Sequence, residues 1–423
     1  MGPNPNTFQG IPETWSKEYQ VSHLKVPVYP AISNYRLAPG LQVGDTVHRS
    51  YASSVVAKIM GADGSYSTQA LNDIDETLVV DKNYEASFYI KKLDELQNSL
   101  PVRTKYAKLS AAAIFNQIDG DVLGLYDQFT SSMDAGKVGG TAGEGITVTP
   151  TNAKKVFFTA KKLLQRQQIM LDNGAQFTGF KPEDDQNVMG VAIISPDVYQ
   201  SLLEAVDGKD TVFGDKVAQS GHAGSFGGFQ LFVSNALGWS GELLVGTQPT
   251  DGDTVTINGV TFTFKTTLGT TAGNVLIGAD AAAAHANLVA AINNAEGTAA
   301  STVSALGKYV ELSAANRLLL ANVVATDATG KLTIKATGYG YVTVAETLTA
   351  SADVWTTTKQ LQHCLFGVAN AIDVVVQQEP NMEINPVNGK VGKDIVTWAA
   401  CGYKVFNDAK AMMIDVRVRT DAY

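Results

Sequence analysis

The chain has 423 residues, enough for about three domains at ~150 residues each, so a sizeable core can form without disulfide or metal staples. Its formal charge is −9, from 32 Lys+Arg against 41 Asp+Glu, which excludes a basic module that grips nucleic acid by neutralising phosphates. Charged residues make up only 17%, against roughly 25% in an average soluble domain, so much of the surface is expected to face protein rather than water.

Two cysteines, Cys364 and Cys401, are too few for a disulfide framework and lack a C-x-x-C spacing; they read as reduced, intracellular core thiols. Met1-Gly2-Pro3-Asn4-Pro5-Asn6 has no basic stretch leading into an apolar core, so no secretion signal is read there. The most apolar window, Ala281 to Ile292, is broken by His285 and Asn287 and falls short of the ~20 residues a bilayer needs.

Residues 1–45 are proline-rich with little periodicity and read as an extended arm that a neighbour must order. From Thr46 to Met60 and from Thr77 to Ile90 β-formers dominate, with the turn cluster Gly61-Ala62-Asp63-Gly64-Ser65 between them. This predicts a long antiparallel excursion with too few apolar residues to bury both faces, a liability unless another chain covers it. After Pro101 the spacing of Tyr106, Leu109, Ala113, Ile118, Val122, Leu125 and Phe129 predicts one amphipathic helix of roughly 45 Å, weakened at Gly120 and Gly124. Gly136 to Gly145 reads as a mobile glycine loop. A second helix is expected from a Thr151 or Asn152 cap to Asp172, then a buried strand Val191–Ile194 and a helix from Asp197 to Val206 opened by Ser195-Pro196. Phe229, Leu231 and Val233 alternate as a strand. Composition shifts near 240 to Thr, Ala, Gly and Val. Strands are expected at Thr254–Ile257, Val260–Phe264, Tyr309–Leu312, Lys331–Lys335 and Tyr341–Val344, with Asn258-Gly259 as a hairpin turn and a helix from Asp280 to Asn294. Trp239 and Trp355 flank this segment, which reads as an inserted α+β domain. Gln360 to Ala371 is expected to be helical, and strands return from Asp394 to Val418 to close the parent domain.

No constellation for chemistry is visible. His23, His48, His222, His285 and His363 are scattered without an i,i+4 pair and read as surface or capping residues; no G-x-S-x-G elbow nominates a nucleophilic serine. Gly330-Lys331-Leu332 is not a phosphate loop, because Ala325 stands where glycine is required and Leu332 where a hydroxyl should bind magnesium. The acidic groups at 72–76, 183–185 and 251–253 lack EF-hand spacing and read as solvated turns. No catalytic, cofactor-binding or metal-binding residue is nominated, and the chain is read as a non-enzyme without a cofactor.

Several stretches are similar to the major capsid proteins of tailed bacteriophages. They are Ile11-Pro12-Glu13-Thr14-Trp15, Gly44-Asp45-Thr46-Val47, Leu78-Val79-Val80-Asp81 with Ala86-Ser87-Phe88-Tyr89-Ile90, and Leu93-Asp94-Glu95-Leu96-Gln97 leading to Ile118-Asp119. Ile194-Ser195-Pro196, Gly221 to Phe229 with Ser234-Asn235, and Gly402-Tyr403-Lys404-Val405 continue the pattern. The resemblance covers nearly the whole chain outside 240–356 and implies an α+β fold of Hong Kong 97 type. It implies an N-terminal arm (1–45), an extended loop (46–92), a peripheral domain with a spine helix (93–147), and an axial domain (148–239 and 357–423) split by an insertion (240–356). It also implies hexamers and pentamers closing into an icosahedral virion head that encloses double-stranded DNA without sequence-specific binding and without a membrane. Assembly is expected in the host cytoplasm with portal, scaffolding and decoration proteins as partners. No charged helical scaffold segment precedes the arm, so guidance is expected from a separate scaffolding protein. A Lys–Asn cross-link of the kind some relatives form is not assignable; Lys82, Lys91 and Lys92 read as ordinary surface lysines. The insertion is expected on the outer surface, bracing neighbours or binding host glycans. The alternatives are an encapsulin-like nanocompartment shell of the same fold, a glycan-binding surface protein, and an enzyme with an unrecognised site.

Overall fold

A computed structural model describes residues 25–37, 46–52, 55–60, 62–71, 73–92, 102–167, 190–206, 224–294, 303–304, 306–328, 331–338, 342–350, 353–387 and 389–420. Sequence features at 1–24, at 93–97, at 168–189 and at 207–223 lie outside them, among them His23, His222 and the 183–185 acidic group. The fold is mixed α+β. Helix α1, Val102–Leu123, is about 33 Å long at 1.5 Å per residue. Its first half keeps an exposed side, whereas Ile118, Asp119, Gly120, Val122 and Leu123 are all buried. It is shorter than its periodicity suggests, because the chain tightens at Gly124 into a 3-10 turn, Gly124–Gln128, in which Leu125 leaves helical geometry.

The short strand β1, Ser33–Asn34, pairs in parallel with β17, Ile372–Pro386. β17 forms a hairpin with β18, Gly392–Lys404, and β18 pairs with β4, Lys82–Lys91. Helix α1 lies against this ribbon, where Ser110 and Thr397 share a buried hydroxyl contact of 2.9 Å. A separate two-stranded hairpin joins β2, Thr46–Ala52, to β3, Asp73–Val79. The predicted excursion is met in part: strand pairing is confined to its base and ends at Val79, and most of the predicted second limb, 77–90, belongs instead to the ribbon as β4, paired with β18.

The larger sheet has β16, Leu361–Val368, at its centre. β19, Met413–Arg419, runs along one edge of β16. The other edge is divided between β6, Gly190–Ile194, and β9, Trp239–Leu244. Helix α2, Ala153–Arg166, places Phe157 edge-on against Phe366 with ring centroids 5.1 Å apart. Every residue of β16 is buried. The prediction of a helix over 360–371 is corrected: a strand covered on both faces lacks the alternation that marks half-exposed strands, and here Gln362 and His363 are buried along with the apolar residues. The glycine loop is also not mobile. Gly143 donates its N–H to Asp134 at 2.7 Å and Gly140 to the Ala135 carbonyl at 2.8 Å. Helix α2 covers Ala153–Arg166 of the predicted span; its remainder at 168–172 lies outside the described residues. Helix α3, Pro196–Val206, follows β6 as expected.

Residues 239–355 build a second hydrophobic core around Trp239, Phe262, Phe264, Leu288 and Trp355. Its hairpin β10, Thr254–Ile257, and β11, Val260–Lys265, turns at Asn258 and Gly259, with φ of 49° and 76°, the left-handed pair a two-residue turn demands. Helix α4, Ala281–Asn293, starts where the Asp280 side chain accepts from the Ala283 N–H and ends at Asn294 in the left-handed region. Tyr309–Leu312 forms isolated bridges rather than a strand. The strands β13, Val323–Ala328, and β14, Lys331–Ala336, continue outward from β9, so the hydrogen-bonded sheet runs unbroken from this core into the parent one.

The two glycines that weaken α1 as a helix are what let this region dock. A Cβ on Gly120 would sit 2.5 Å from Gly338 Cα, and one on Gly124 would sit 2.5 Å from Thr337 Cγ2. On either side of Gly120 two carboxylates gather the rest of the chain. Buried Asp119 accepts from Lys25 Nζ and from the Val28 and Tyr29 N–H groups, each at 2.8 Å. Asp121 accepts from the hydroxyls of Tyr84 on β4 and Tyr403 on β18. Burial and the nearby Asp121 carboxylate hold both phenols well above their ordinary range, so they stay protonated as donors.

The β2–β3 hairpin is held at its base. Leu78 packs with Val375 and Phe406, and Arg49 and Lys404 lie over the Phe406 ring at 5.0 and 5.3 Å. Arg49 also bridges Asp408 and, at 3.6 Å, Asp373. Asp373 is buried at the β17 end beside β1, accepts from Asn34 Nδ2 at 2.9 Å, and has its carboxyl pushed up to about 6, chiefly by burial and against the pull of Arg49.

Two outcomes follow from this packing. Alanine is ordinarily a better helix residue than glycine by about 1 kcal/mol, yet Gly120→Ala should destabilise the chain by about 1–3 kcal/mol because the added methyl meets backbone; urea denaturation measures the sign. Because the native pKa of Asp373 lies above its unfolded value, the folded chain binds the extra proton. This group therefore adds stability as pH falls from about 6 toward 4 and withdraws it as pH rises through 6. Denaturation at pH 7 and pH 5 should show that increment in the native chain and its loss in Asp373→Asn.

Candidate assembly surface

The β2–β3 hairpin projects its apolar side chains away from both cores. Beyond the paired base, Val55, Val56, Ile59, Met60, Tyr66 and Leu71 are exposed; Ile59 is fully in water, Tyr66 is 81% and Leu71 is 73% exposed. The two limbs touch there through polar side chains, Gln69 Oε1 accepting from the Val56 N–H at 3.2 Å and Lys58 Nζ reaching Ser67 Oγ at 3.3 Å. An apolar row of this kind on a projecting hairpin marks a contact surface. The outer half of the β17–β18 ribbon repeats the pattern. Burial gives way from Val376 outward, and Tyr89, Met382, Ile384 and Val391 stand exposed at its end.

The electrostatics of the hairpin suit a surface that docks. Asp75 faces His48 Nδ1 at 2.6 Å across the pair, and Glu76 accepts from the Asn407 N–H at 3.0 Å. The 73–76 carboxylates therefore sit on strand β3 and do not form the solvated turn that was expected. Lys404 Nζ donates to the Thr77 carbonyl at 2.7 Å. The fold thus holds the base of the hairpin and leaves its outer part to another surface.

Sites for chemistry are few. Cys364 and Cys401 are free and buried as expected, with both thiols pushed up to about 12, first by desolvation. Asp251 is held low first by the Thr266 N–H. Asp253 is lowered by hydrogen bonds from Thr349 and Thr250, against a burial that raises it. These two carboxylates tie loops together. Lys82 faces Asp81 at 3.6 Å, and Lys91 and Lys92 are exposed at the end of β4. Among the described residues no group of three or more His, Cys, Asp or Glu converges as a metal site, and no helix is long and apolar enough to cross a membrane. The histidine reading needs correction. His48 is exposed, but His285 is buried in α4 with Nδ1 3.5 Å from Asp327, and His363 is buried in β16 against Asp415. Sequence spacing carries no signal for either contact, since the partners lie 42 and 52 residues away.

No family model and no curated protein matches this chain. Solved structures do. A chain of Mycobacterium phage Che8 aligns with a TM-score of 0.56 at 13% identity, over 97% of this chain and 98% of that one. The capsid of Cyanophage P-SCSP1u aligns at 0.53 and 12% identity, over 99% and 98%. The mature capsid of bacteriophage PhiM1 aligns at 0.50 and 9%, over 97% and 93%. The alignments span 93% or more of each chain, and the protein has the fold of these phage chains.

Proposed function

We propose that the chain is the major capsid protein of a tailed bacteriophage, of Hong Kong 97 type, a structural protein rather than an enzyme. One observation carries the reading: the β2–β3 hairpin exposes an apolar row that none of the described residues covers, on a fold shared with capsid chains. In this reading residues 1–45 are the arm and 46–92 the extended loop. Residues 93–147, with α1 as spine, form the peripheral domain, and 148–239 with 357–423 the axial domain. The hairpin tip lies on a neighbouring copy of the chain, and the hydrophobic burial lost by the free subunit is regained at that contact. Hexamers and pentamers close an icosahedral shell in the host cytoplasm around double-stranded DNA. The net charge of −9 supports a wall that does not adsorb the genome. Scaffolding, portal and decoration proteins are the expected partners, and the virion is the final location.

The 240–356 insertion is read as an outer-surface brace. Its strands extend the parent sheet and its Gly338 loop seats on α1, which suits transmission of load between subunits better than display of a free glycan-binding lobe.

Negative-stain microscopy with size exclusion, on the protein expressed alone and with its scaffolding partner, should show capsomers or closed shells. A 44.8 kDa monomer in both samples overturns the reading. The double variant Ile59→Asp, Met60→Asp should abolish those particles while leaving the urea midpoint of the subunit within about 0.5 kcal/mol of the native one, as surface substitutions do. Removing the insertion should lower the melting temperature of the particles; shells that assemble and melt unchanged without it would refute the brace.

A further inference from the structure

Three side chains far apart in sequence meet on one face of the large sheet. Ser240 on β9 pairs in register with Leu361 on β16, and His363 is the next residue on that face. Asp415 on β19 lies opposite Leu365, on the same face again. The contacts run in series: Ser240 Oγ to His363 Nε2 at 2.8 Å, and His363 Nδ1 to Asp415 Oδ1 at 2.8 Å. An ionised carboxylate only accepts, so Nδ1 carries the ring proton and Nε2 turns its lone pair to the serine, whose hydroxyl donates. That is the tautomer a general base requires.

The imidazole is held from every side. The Tyr126 ring stacks on it at 3.5 Å between centroids, 7° from parallel. The second oxygen of Asp415 accepts from Arg417 Nε at 3.0 Å, which fixes the carboxylate in turn. His363 and Asp415 are 3% and 2% exposed, whereas Ser240 is only half-buried, so the nucleophile meets water while its base and orienting group do not. Lys335 is the register partner of Ser240 on β14, which puts its Cβ about 5 Å away on the same face. Its ammonium pairs with Asp127 at 2.7 Å and lies 5.9 Å from the centroid of the Tyr126 ring that stacks on His363.

We propose that Ser240 is an activated nucleophile that cleaves small aryl esters, a reactivity independent of assembly and of the capsid reading. Ser240 Oγ bonds to the acyl carbon while its proton passes to His363 Nε2. The bond to the aryl oxygen breaks, and that proton leaves on the phenol. Water then attacks the acyl-serine, giving one proton to His363 that returns to Ser240 Oγ as the carboxylic acid departs. The net reaction is ester plus water to acid plus phenol. Asp415 touches no reacting atom and is a positioning residue. A cavity of about 440 Å³ lies elsewhere, between α4, Arg317 and Val323; with Tyr126 covering the imidazole and Ser240 half-buried, the substrate is limited to small esters.

The test uses the full-length folded chain, a biotinylated fluorophosphonate and p-nitrophenyl acetate. Peptide mass spectrometry should place the phosphonyl adduct on Ser240, at least 100-fold faster than in the same chain in urea. Ester hydrolysis should fall in step with labelling and vanish in Ser240→Ala, and Asp415→Asn should slow labelling at least 100-fold by presenting the wrong tautomer. No adduct at Ser240 in the folded native chain, or labelling no faster than in urea, overturns the proposal without reliance on any variant folding.

Discussion

The constraint on which the rest of the molecule depends is the triplet Asp119-Gly120-Asp121 near the end of the long helix, buried at its first two residues and half-buried at the third. Successive residues on a helix point about 100° apart, so three neighbours reach three different parts of the chain. Asp119 receives the Lys25 ammonium and two backbone N–H groups of the arm, Gly120 receives the backbone of the Gly338 loop, and Asp121 receives one tyrosine from each of two adjacent strands. A buried carboxylate is costly unless its oxygens are saturated by donors. Here the saturation is supplied from sequence positions 90 or more residues away for Asp119 and 282 away for the Asp121–Tyr403 contact. The arm, the helix, the ribbon and the second core are therefore fixed relative to one another by a single turn of helix.

Against that rigid hub, the β2–β3 hairpin is held differently. Its anchor is a small cluster of Leu78, Val375 and Phe406 with cations over one aromatic ring and a guanidinium shared between two carboxylates. The burial area at this joint is small compared with the main cores, and charge-assisted contacts set its geometry. The outer part of the hairpin has side-chain links in place of a backbone ladder. The molecule thus combines an over-determined centre with a lightly tethered extension.

Much of this was legible in the residues. The turn chemistry of Asn258-Gly259, the capped helices at Pro196 and Asp280, the buried strand at Val191–Ile194 and the exposed excursion each carry a local signal strong enough to survive in the fold. What misled was period. Leu361–Val368 is buried along its whole length, Gln362 and His363 included, so it lacks the alternation that separates strand from helix. Gly120 and Gly124 read as helix weakness because propensity sees only the backbone of one segment, and the loop that needs their missing side chains arrives at Gly338, 218 residues after Gly120. The glycine loop read as mobile because its restraint is a single carboxylate, Asp134, placed before it. The Ser240, His363 and Asp415 contacts were invisible for the same reason: strands distant in sequence become adjacent only through sheet order.

The continuity of β13, β14 and β9 with β16 has a mechanical meaning. A lobe joined by two flexible linkers yields to a pull by swinging, and the linkers bear the strain. Here a pull along β9 loads several backbone hydrogen bonds in parallel shear, so they must rupture together rather than one after another. The second core is for this reason a stiff lever on the parent sheet, and any peptide grafted into its outer turns would inherit a fixed orientation relative to the rest of the subunit.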